Sequence, residues 1–184
     1  MADQAVKKML RKILTLELAA FVLVIISFDL AIFAYPYLPD VFPIHFDFSG
    51  TPNGWARKSW LAVLGLPLIQ LALFIFMTIL TWWCVNSKRA LEYLNLPKIN
   101  RTKVLQLPDE KQEKIRLLST ISINVINFFT LLFSTIVNYQ ILQAGMAGRS
   151  PSLFWTFVAA VFCFVGGFIF VRKIVLATED IVNL

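Results

Sequence analysis

The sequence has few of the residue types that build catalytic or metal centres. Its 184 residues include one histidine and two cysteines. Cys84 and Cys163 lie inside apolar runs without Cys-x-x-Cys spacing, which argues against a disulfide framework, a thiol redox pair and a zinc site. No Gly-x-Ser-x-Gly, His-Glu-x-x-His or phosphate-binding loop occurs in the sequence. We therefore expect a protein that is not an enzyme and that uses no cofactor.

Polar surface is scarce as well. Hydrophobic residues make up 58% of the chain and aromatic residues 14%, which leaves too little polar surface for a soluble protein of this size. Four apolar stretches are long enough to cross about 30 Å of hydrocarbon at about 1.5 Å per residue. They cover residues 13–35, 60–85, 117–143 and 152–171 approximately. The sequence predicts an all-α membrane protein, with residues 1–184 forming one integral domain, a four-transmembrane-helix bundle in the plasma membrane.

Acidic residues are outnumbered by basic ones, 11 against 17, which gives a formal net charge of +6. The positive charges sort by membrane side, since only Arg57, Lys58 and Arg149 flank the ends opposite to the termini. This excess predicts that both termini and the basic loop 86–116 are cytoplasmic. The pattern gives no reason to expect nucleic acid as a partner. The loop either fixes this topology or binds anionic lipid or a cytoplasmic regulator.

The loop 36–59, between the first two spans, carries the unusual residues, including the one histidine. The apolar Ile44, Phe46 and Phe48 alternate with His45, Asp47 and Ser49, which predicts a short strand with one apolar and one polar face. Residues 50–54, Gly-Thr-Pro-Asn-Gly, predict the turn that follows. Trp55 and Trp60 suit the headgroup level. We expect a compact extracytoplasmic cap between helices 1 and 2.

His45 and Asp47 would point the same way from such a strand, and Asp40 is a third candidate ligand nearby in the sequence. One histidine and two carboxylates without a set spacing make a weak metal pattern. We therefore assign no metal ligands.

Polar residues inside the spans form a second group of candidates. Asp29 lies roughly 9 Å inside the outer end of the first helix, where an acid should face protein or water. Asn124, Asn127 and Asn138 share one face of the third helix, and this face should point into the bundle. Asn138 lies at a depth similar to that of Asp29, which predicts a hydrogen bond between them. Interhelical hydrogen bonding and a polar pathway both remain open for this face.

The cap also carries a recognisable combination of residue types, which continues from Leu38 to Lys58. It consists of Pro39, Asp40, Pro43, His45, Phe46, Gly50, Pro52, Gly54, Trp55 and Lys58. This combination resembles the signature of domain of unknown function 1648, a family of bacterial and archaeal integral membrane proteins. The resemblance covers the first two spans and their loop. The family includes the immunity protein SdpI, which protects a cell from a secreted peptide toxin and sequesters a cytoplasmic repressor. The present chain has four predicted spans and lacks a counterpart to the C-terminal part of that longer protein.

The resemblance implies a multi-pass membrane protein with a receptor-like or immunity-like role. The ligand would be an extracytoplasmic peptide or a lipid-like molecule, with a signal passed to the cytoplasm. Two alternatives remain: a small transporter or channel subunit that uses Asp29 and the asparagine face, and a structural subunit of a larger membrane complex.

Overall fold

The computed structural model describes residues 2–47, 49–93, 100–148, 150 and 152–183. Within these residues the chain forms six α-helices, one short 3-10 helix (Tyr35–Tyr37) and a two-stranded hairpin. Phe48 of the predicted strand, Arg149, and residues 94–99 of the basic loop lie outside the described residues. The elements are α1 (Ala2–Ala34), β1 (Val41–Phe46), β2 (Pro52–Arg57), α2 (Trp60–Asn86), α3 (Ala90–Tyr93), α4 (Arg101–Leu105), α5 (Asp109–Ala147) and α6 (Leu153–Asn183).

Four of these helices are long and apolar enough to cross a membrane, which confirms the predicted fold class. The candidate spans are Gln4–Tyr37, Trp60–Asn86, Asp109–Ala147 and Phe154–Asn183. Three of them extend well past the apolar stretches of the sequence, because polar residues that are good helix formers continue the helices at their ends. The N-in, C-in orientation stays a prediction.

The chain groups into two compact units, each built from segments of all four long helices. The first, here called the hairpin unit, comprises Ala20–Phe74 and Phe129–Phe164. The second, here called the terminal unit, comprises Met1–Ala19, Ile75–Phe128 and Val165–Leu184. The single integral domain of residues 1–184 stays a prediction.

The core of the hairpin unit joins α1, the cap and α5. Ala31 and Ala34 of α1 are fully buried, and their small side chains let Phe42 of the cap pack against them. Leu142 of α5 belongs to the same cluster. Burial of apolar side chains stabilises this contact at about 25 cal/mol per Å² removed from water. The cap is therefore part of the packed unit and not a free loop.

The terminal unit has its own small core, where Leu91, Val104 and Ile115 pack together. Ile181 and Val182 near the end of α6 lie against them.

The short helix α4 begins at a capping residue, because the side chain of Asn100 accepts a hydrogen bond from the Thr102 amide.

The hairpin corrects the predicted positions of strand and turn. The sequence predicted a strand at 44–49 and a turn at 50–54, but the strands are Val41–Phe46 and Pro52–Arg57. Pro52, Asn53 and Gly54 therefore belong to β2, and the connection lies at 47–51. A proline is tolerated there because it begins a strand of a two-stranded sheet, where each strand has a free edge.

The predicted apolar face of the strand is also wrong at Ile44, which is 41% exposed, whereas Phe42 is 1% exposed. The core against α1 lies beside the start of β1, so the buried side chains are Phe42 and the neighbouring Pro43. Phe46 is half-buried.

Candidate functional site

The turn of the hairpin is organised by Asp47. Its Oδ1 accepts hydrogen bonds from the backbone amides of Ser49 and Thr51, at 2.8 and 2.9 Å, and from the Ser49 hydroxyl at 2.6 Å. Gly50 has a positive φ of 80°, which a residue without Cβ adopts at little cost. These donors, the Ser49 hydroxyl foremost and then the Thr51 amide, hold the pKa of Asp47 below its ordinary value of 3.8.

His45 sits on β1 directly across from Gly54 of β2. Its Nδ1 is hydrogen-bonded to Oδ1 of Asn53. A Cβ added to Gly54 would lie 2.8 Å from the Cβ of His45, so this position accepts only glycine without a backbone shift. The strand register is irregular on both sides of His45. Gly54 thus allows the imidazole and the Asn53 amide to meet on one side of the hairpin.

Lys58 anchors the two ends of the cap to each other. Its Nζ donates to the backbone oxygens of Leu38, at 2.8 Å, and Pro36, at 3.4 Å. Its backbone amide donates to the backbone oxygen of Asp40 at 2.8 Å. The same Nζ lies 5.2 Å from the centre of the Tyr35 ring, within reach of a cation–π interaction. A hydrophobic side chain of the same length would lose all three interactions of the ammonium group.

An aromatic pair closes the base of the cap beside Lys58. Tyr35, which follows α1, and Trp60, which begins α2, stack with ring centres 3.8 Å apart and planes inclined by 5°. Trp55 lies opposite Pro43 in the hairpin and is 58% exposed. Pro39 and Asp40 are exposed as well. The signature residues therefore divide into those that build the cap and those that it presents outward.

A groove of about 770 Å³, here called the cap groove, runs between the hairpin and the helices α5 and α6. His45, Asp47 and Asn53 form its polar wall. The facing wall is formed mainly by apolar side chains, among them Val137, Ile141, Phe157 and Ala160. The structure therefore brings three polar cap residues beside an apolar surface.

A second groove of about 770 Å³, here called the flank groove, lies between α5 and α6 and is lined by Tyr139, Trp155 and Ala159. Gln140 lines both grooves, and its Oε1 accepts a hydrogen bond of 2.8 Å from the Thr156 hydroxyl. This bond joins α5 to α6 between the two grooves.

The predicted candidates for a metal do not come together. Asp40 precedes β1 and Asp47 follows it, so a six-residue strand, about 20 Å long, separates them. Within the described ranges there is no group of three or more His, Cys, Asp or Glu side chains that would hold a metal ion.

The predicted hydrogen bond between Asp29 and Asn138 is wrong. Nδ2 of Asn138 donates both of its hydrogens to Ser27, one to the hydroxyl at 2.9 Å and one to the backbone oxygen at 3.1 Å. Asp29 follows Ser27 by two residues, or about 200° around the helix, which places it on the exposed side of α1. Its role stays a prediction.

The polar face of α5 makes further interhelical contacts. Nδ2 of Asn124 donates to the Thr81 hydroxyl at 2.9 Å, and Asn124 and Asn138 are both buried, as predicted. These bonds favour the interpretation of the face as interhelical hydrogen bonding over that of a polar pathway.

The sequence reasoning did not single out Gln70, which is 1% exposed and lies on α2 in the hairpin unit. Its Nε2 donates to the Thr135 hydroxyl at 3.1 Å and to the Leu131 oxygen at 3.2 Å. An amide inside an apolar span is a signal that pointed to this contact. Gln140 and Thr156 were likewise missed.

No curated protein and no solved structure matches the chain. A family model does: residues 22–71 match the domain of unknown function DUF1648. This segment contains the second half of α1, the complete hairpin and the first half of α2, and thus all of the signature residues. Over residues 22–71 the chain is therefore similar to the DUF1648 family, which confirms the resemblance predicted from the signature residues.

Proposed function

We propose that this membrane protein is a receptor-like or immunity-like binding protein whose cap groove takes an amphipathic extracytoplasmic ligand, either a peptide or a lipid-like molecule. The observation that carries the proposal is the make-up of the groove. Its polar wall offers the imidazole of His45 and the carboxylate of Asp47, and its other wall offers Ile141 and Phe157. Binding sites commonly combine such an apolar surface with a few placed polar groups.

The size of the groove supports this class of ligand. A volume of about 770 Å³ lies within the range of roughly 300–1,000 Å³ that is typical of small-molecule pockets. It suits an acyl chain with its headgroup, or several side chains of a membrane-active peptide. The distribution of basic residues favours an extracytoplasmic hairpin, where a secreted molecule would arrive. The family's immunity member supports a peptide in particular.

Two neighbouring alanines of α6 give a matched test. Ala160 lines the cap groove and Ala159 lines the flank groove, and both are half-buried. Ala160→Trp would fill the cap groove, whereas Ala159→Trp would add the same indole to the flank groove. We would reconstitute the full chain in nanodiscs and titrate two fluorescent probes, an amphipathic Leu/Lys peptide and a lysophospholipid.

We expect saturable binding of at least one probe, weakened at least tenfold by Ala160→Trp and unchanged by Ala159→Trp. Preference for one probe would distinguish a peptide ligand from a lipid-like one. Equal effects of the two substitutions, or the absence of saturable binding of either probe, would count against the cap groove as the site. Far-ultraviolet circular dichroism of both variants would show that the helices are retained.

A further inference from the structure

A buried amide in the terminal unit has no hydrogen-bond partner in the part of the chain that the structure describes. Asn127 of α5 is 2% exposed, yet neither its Oδ1 nor its Nδ2 has a hydrogen-bond partner among the described residues. Its neighbour Asn124 on the same helix donates to Thr81 and to the Thr120 oxygen. Burying an amide without a hydrogen bond destabilises the folded protein. Such a side chain indicates a bound partner.

A second unpartnered atom belongs to a carboxylate. Glu17 of α1 accepts a hydrogen bond of 2.8 Å at Oε2 from the Thr78 hydroxyl of α2. Its other oxygen, Oε1, is buried and has no hydrogen-bond partner in the described part of the chain. An acid inside a membrane span needs a compensating positive charge or a proton. Glu17 thus offers a charged oxygen on a helix other than that of Asn127.

The helix register brings Glu17, Thr78 and Asn127 to one level. Within the terminal unit α2 and α5 are antiparallel, since Lys88 after the end of α2 pairs with Asp109 at the start of α5. The bond from Asn124 to Thr81 fixes their register. Asn127 follows Asn124 by three residues on α5, and Thr78 precedes Thr81 by three residues on α2. Because the helices are antiparallel, both steps cover about 4.5 Å in the same direction, so Asn127 lies level with Thr78.

These groups present oxygen ligands with one negative charge. The Thr78 hydroxyl donates to Glu17 and keeps lone pairs for another partner, while Glu17 Oε1 and Asn127 Oδ1 accept only. Carboxylate, carbonyl and hydroxyl oxygens bind hard cations. A single carboxylate is neutralised by a monovalent ion. A water molecule bound to that ion would accept from Nδ2 of Asn127.

We propose that Glu17, Thr78 and Asn127 form a binding site for a small monovalent metal cation, of which Na⁺ is the expected example. The site lies in the terminal unit and is argued independently of the cap groove. It uses Asn127 as a ligand, whereas Asn124 and Asn138 serve as contacts between helices.

The test uses the full chain in nanodiscs and compares NaCl, KCl and choline chloride at equal ionic strength. A ligand that binds only the folded protein raises the melting temperature in proportion to the logarithm of its concentration above Kd. We expect Na⁺ or K⁺, at about four times its Kd, to raise it by about 3 °C relative to choline. Equilibrium dialysis with ²²Na⁺ should give one ion per chain where Na⁺ is the ion.

Two substitutions and one control make the result specific. Glu17→Gln removes the charge but keeps an oxygen for Thr78, and Asn127→Leu removes a ligand; each should weaken ion binding at least tenfold. Asp29→Asn removes an exposed acid from α1, the helix that carries Glu17, and should leave ion binding unchanged. Equal melting temperatures in the three salts would overturn the proposal and indicate bound water instead. An ion effect that persists in Glu17→Gln would also overturn it.

Discussion

Asn138 of the hairpin unit and Asn127 of the terminal unit are the same residue type on the same helix, and they are 3% and 2% exposed. Asn138 gives both amide hydrogens to Ser27, whereas neither polar atom of Asn127 has a partner among the described residues. The two asparagines are therefore equally buried but differ in their hydrogen bonding. The first amide holds two helices together, and the second is available to a ligand.

The same contrast applies to the acids of the two units. Asp47 in the hairpin unit directs its Oδ1 at donors from its own turn, which shapes the cap. Glu17 in the terminal unit has one hydrogen-bonded oxygen and one buried oxygen that has no partner among the residues described. The Asp47 carboxylate therefore shapes the cap, whereas Glu17 keeps one oxygen for another partner. The contrast holds for these two acids and not for every polar group, since among the described residues Gln70 of the hairpin unit also has a buried Oε1 without a hydrogen-bond partner.

The largest expected effect tests how tightly the hairpin unit is built. Gly54→Ala places a Cβ 2.8 Å from that of His45, and because neither atom is at the end of a flexible side chain, the strands must separate. We expect the hairpin to lose about 1–3 kcal/mol of local stability, the usual cost of overpacking. Hydrogen exchange of the amides in β1 and β2 should then become about 10- to 100-fold faster.

Gly65→Ala is the matched control for this change. Gly65 lies inside α2, and a Cβ added there would meet nothing within 4 Å. Alanine is a better helix former than glycine by about 1 kcal/mol, so this variant should be at least as stable as the original. Unchanged exchange in Gly54→Ala would show that the hairpin is looser than the His45–Gly54 pairing indicates.

A smaller effect should separate the two asparagines directly. Asn138→Leu removes two hydrogen bonds to Ser27 and should lower the free energy of unfolding by about 1 kcal/mol, the usual scale for polar contacts between membrane helices. Asn127→Leu removes no hydrogen bond within the described chain, so without added Na⁺ or K⁺ it should be neutral or stabilising. Steric-trapping measurements in choline chloride would give both values. Equal losses would mean that the two amides play the same structural role.

Hydrophobic length was enough to predict the four long helices, because the bilayer requires about 20 apolar residues per crossing. The rotation of each helix was harder to predict. In the second half of α1 nearly every side chain is apolar, so the sequence shows no clear face that would point Asp29 or Ser27 inward. The choice of Asp29 as the partner of Asn138 followed from depth alone and was therefore wrong.

The turn of the hairpin was misplaced for a similar reason. Asn53-Gly54 is a strong turn signal, but the Asp47 side chain satisfies two backbone amides of a competing turn at 47–51. Gly54 is instead needed opposite His45. The signature residues were identified from the sequence. Two of them, His45 and Phe46, line the cap groove. This groove also needs α5 and α6, whose packing against the cap no local pattern shows.

The smallest expected effect concerns the charge of Asp47. It tests whether the ionised carboxylate holds the turn through its hydrogen bonds. Because the hydrogen bonds lower the folded-state pKa below 3.8, ionised Asp47 stabilises the turn at pH values above its unfolded pKa. That stabilisation is lost as the pH falls through the lowered value. With ¹⁵N-labelled serine and threonine, the Ser49 and Thr51 amide proton signals should shift together in this acidic range. Asp47→Asn should abolish the titration and move both signals at neutral pH. Signals that titrate independently in the original chain would show that the turn does not depend on the charge of Asp47.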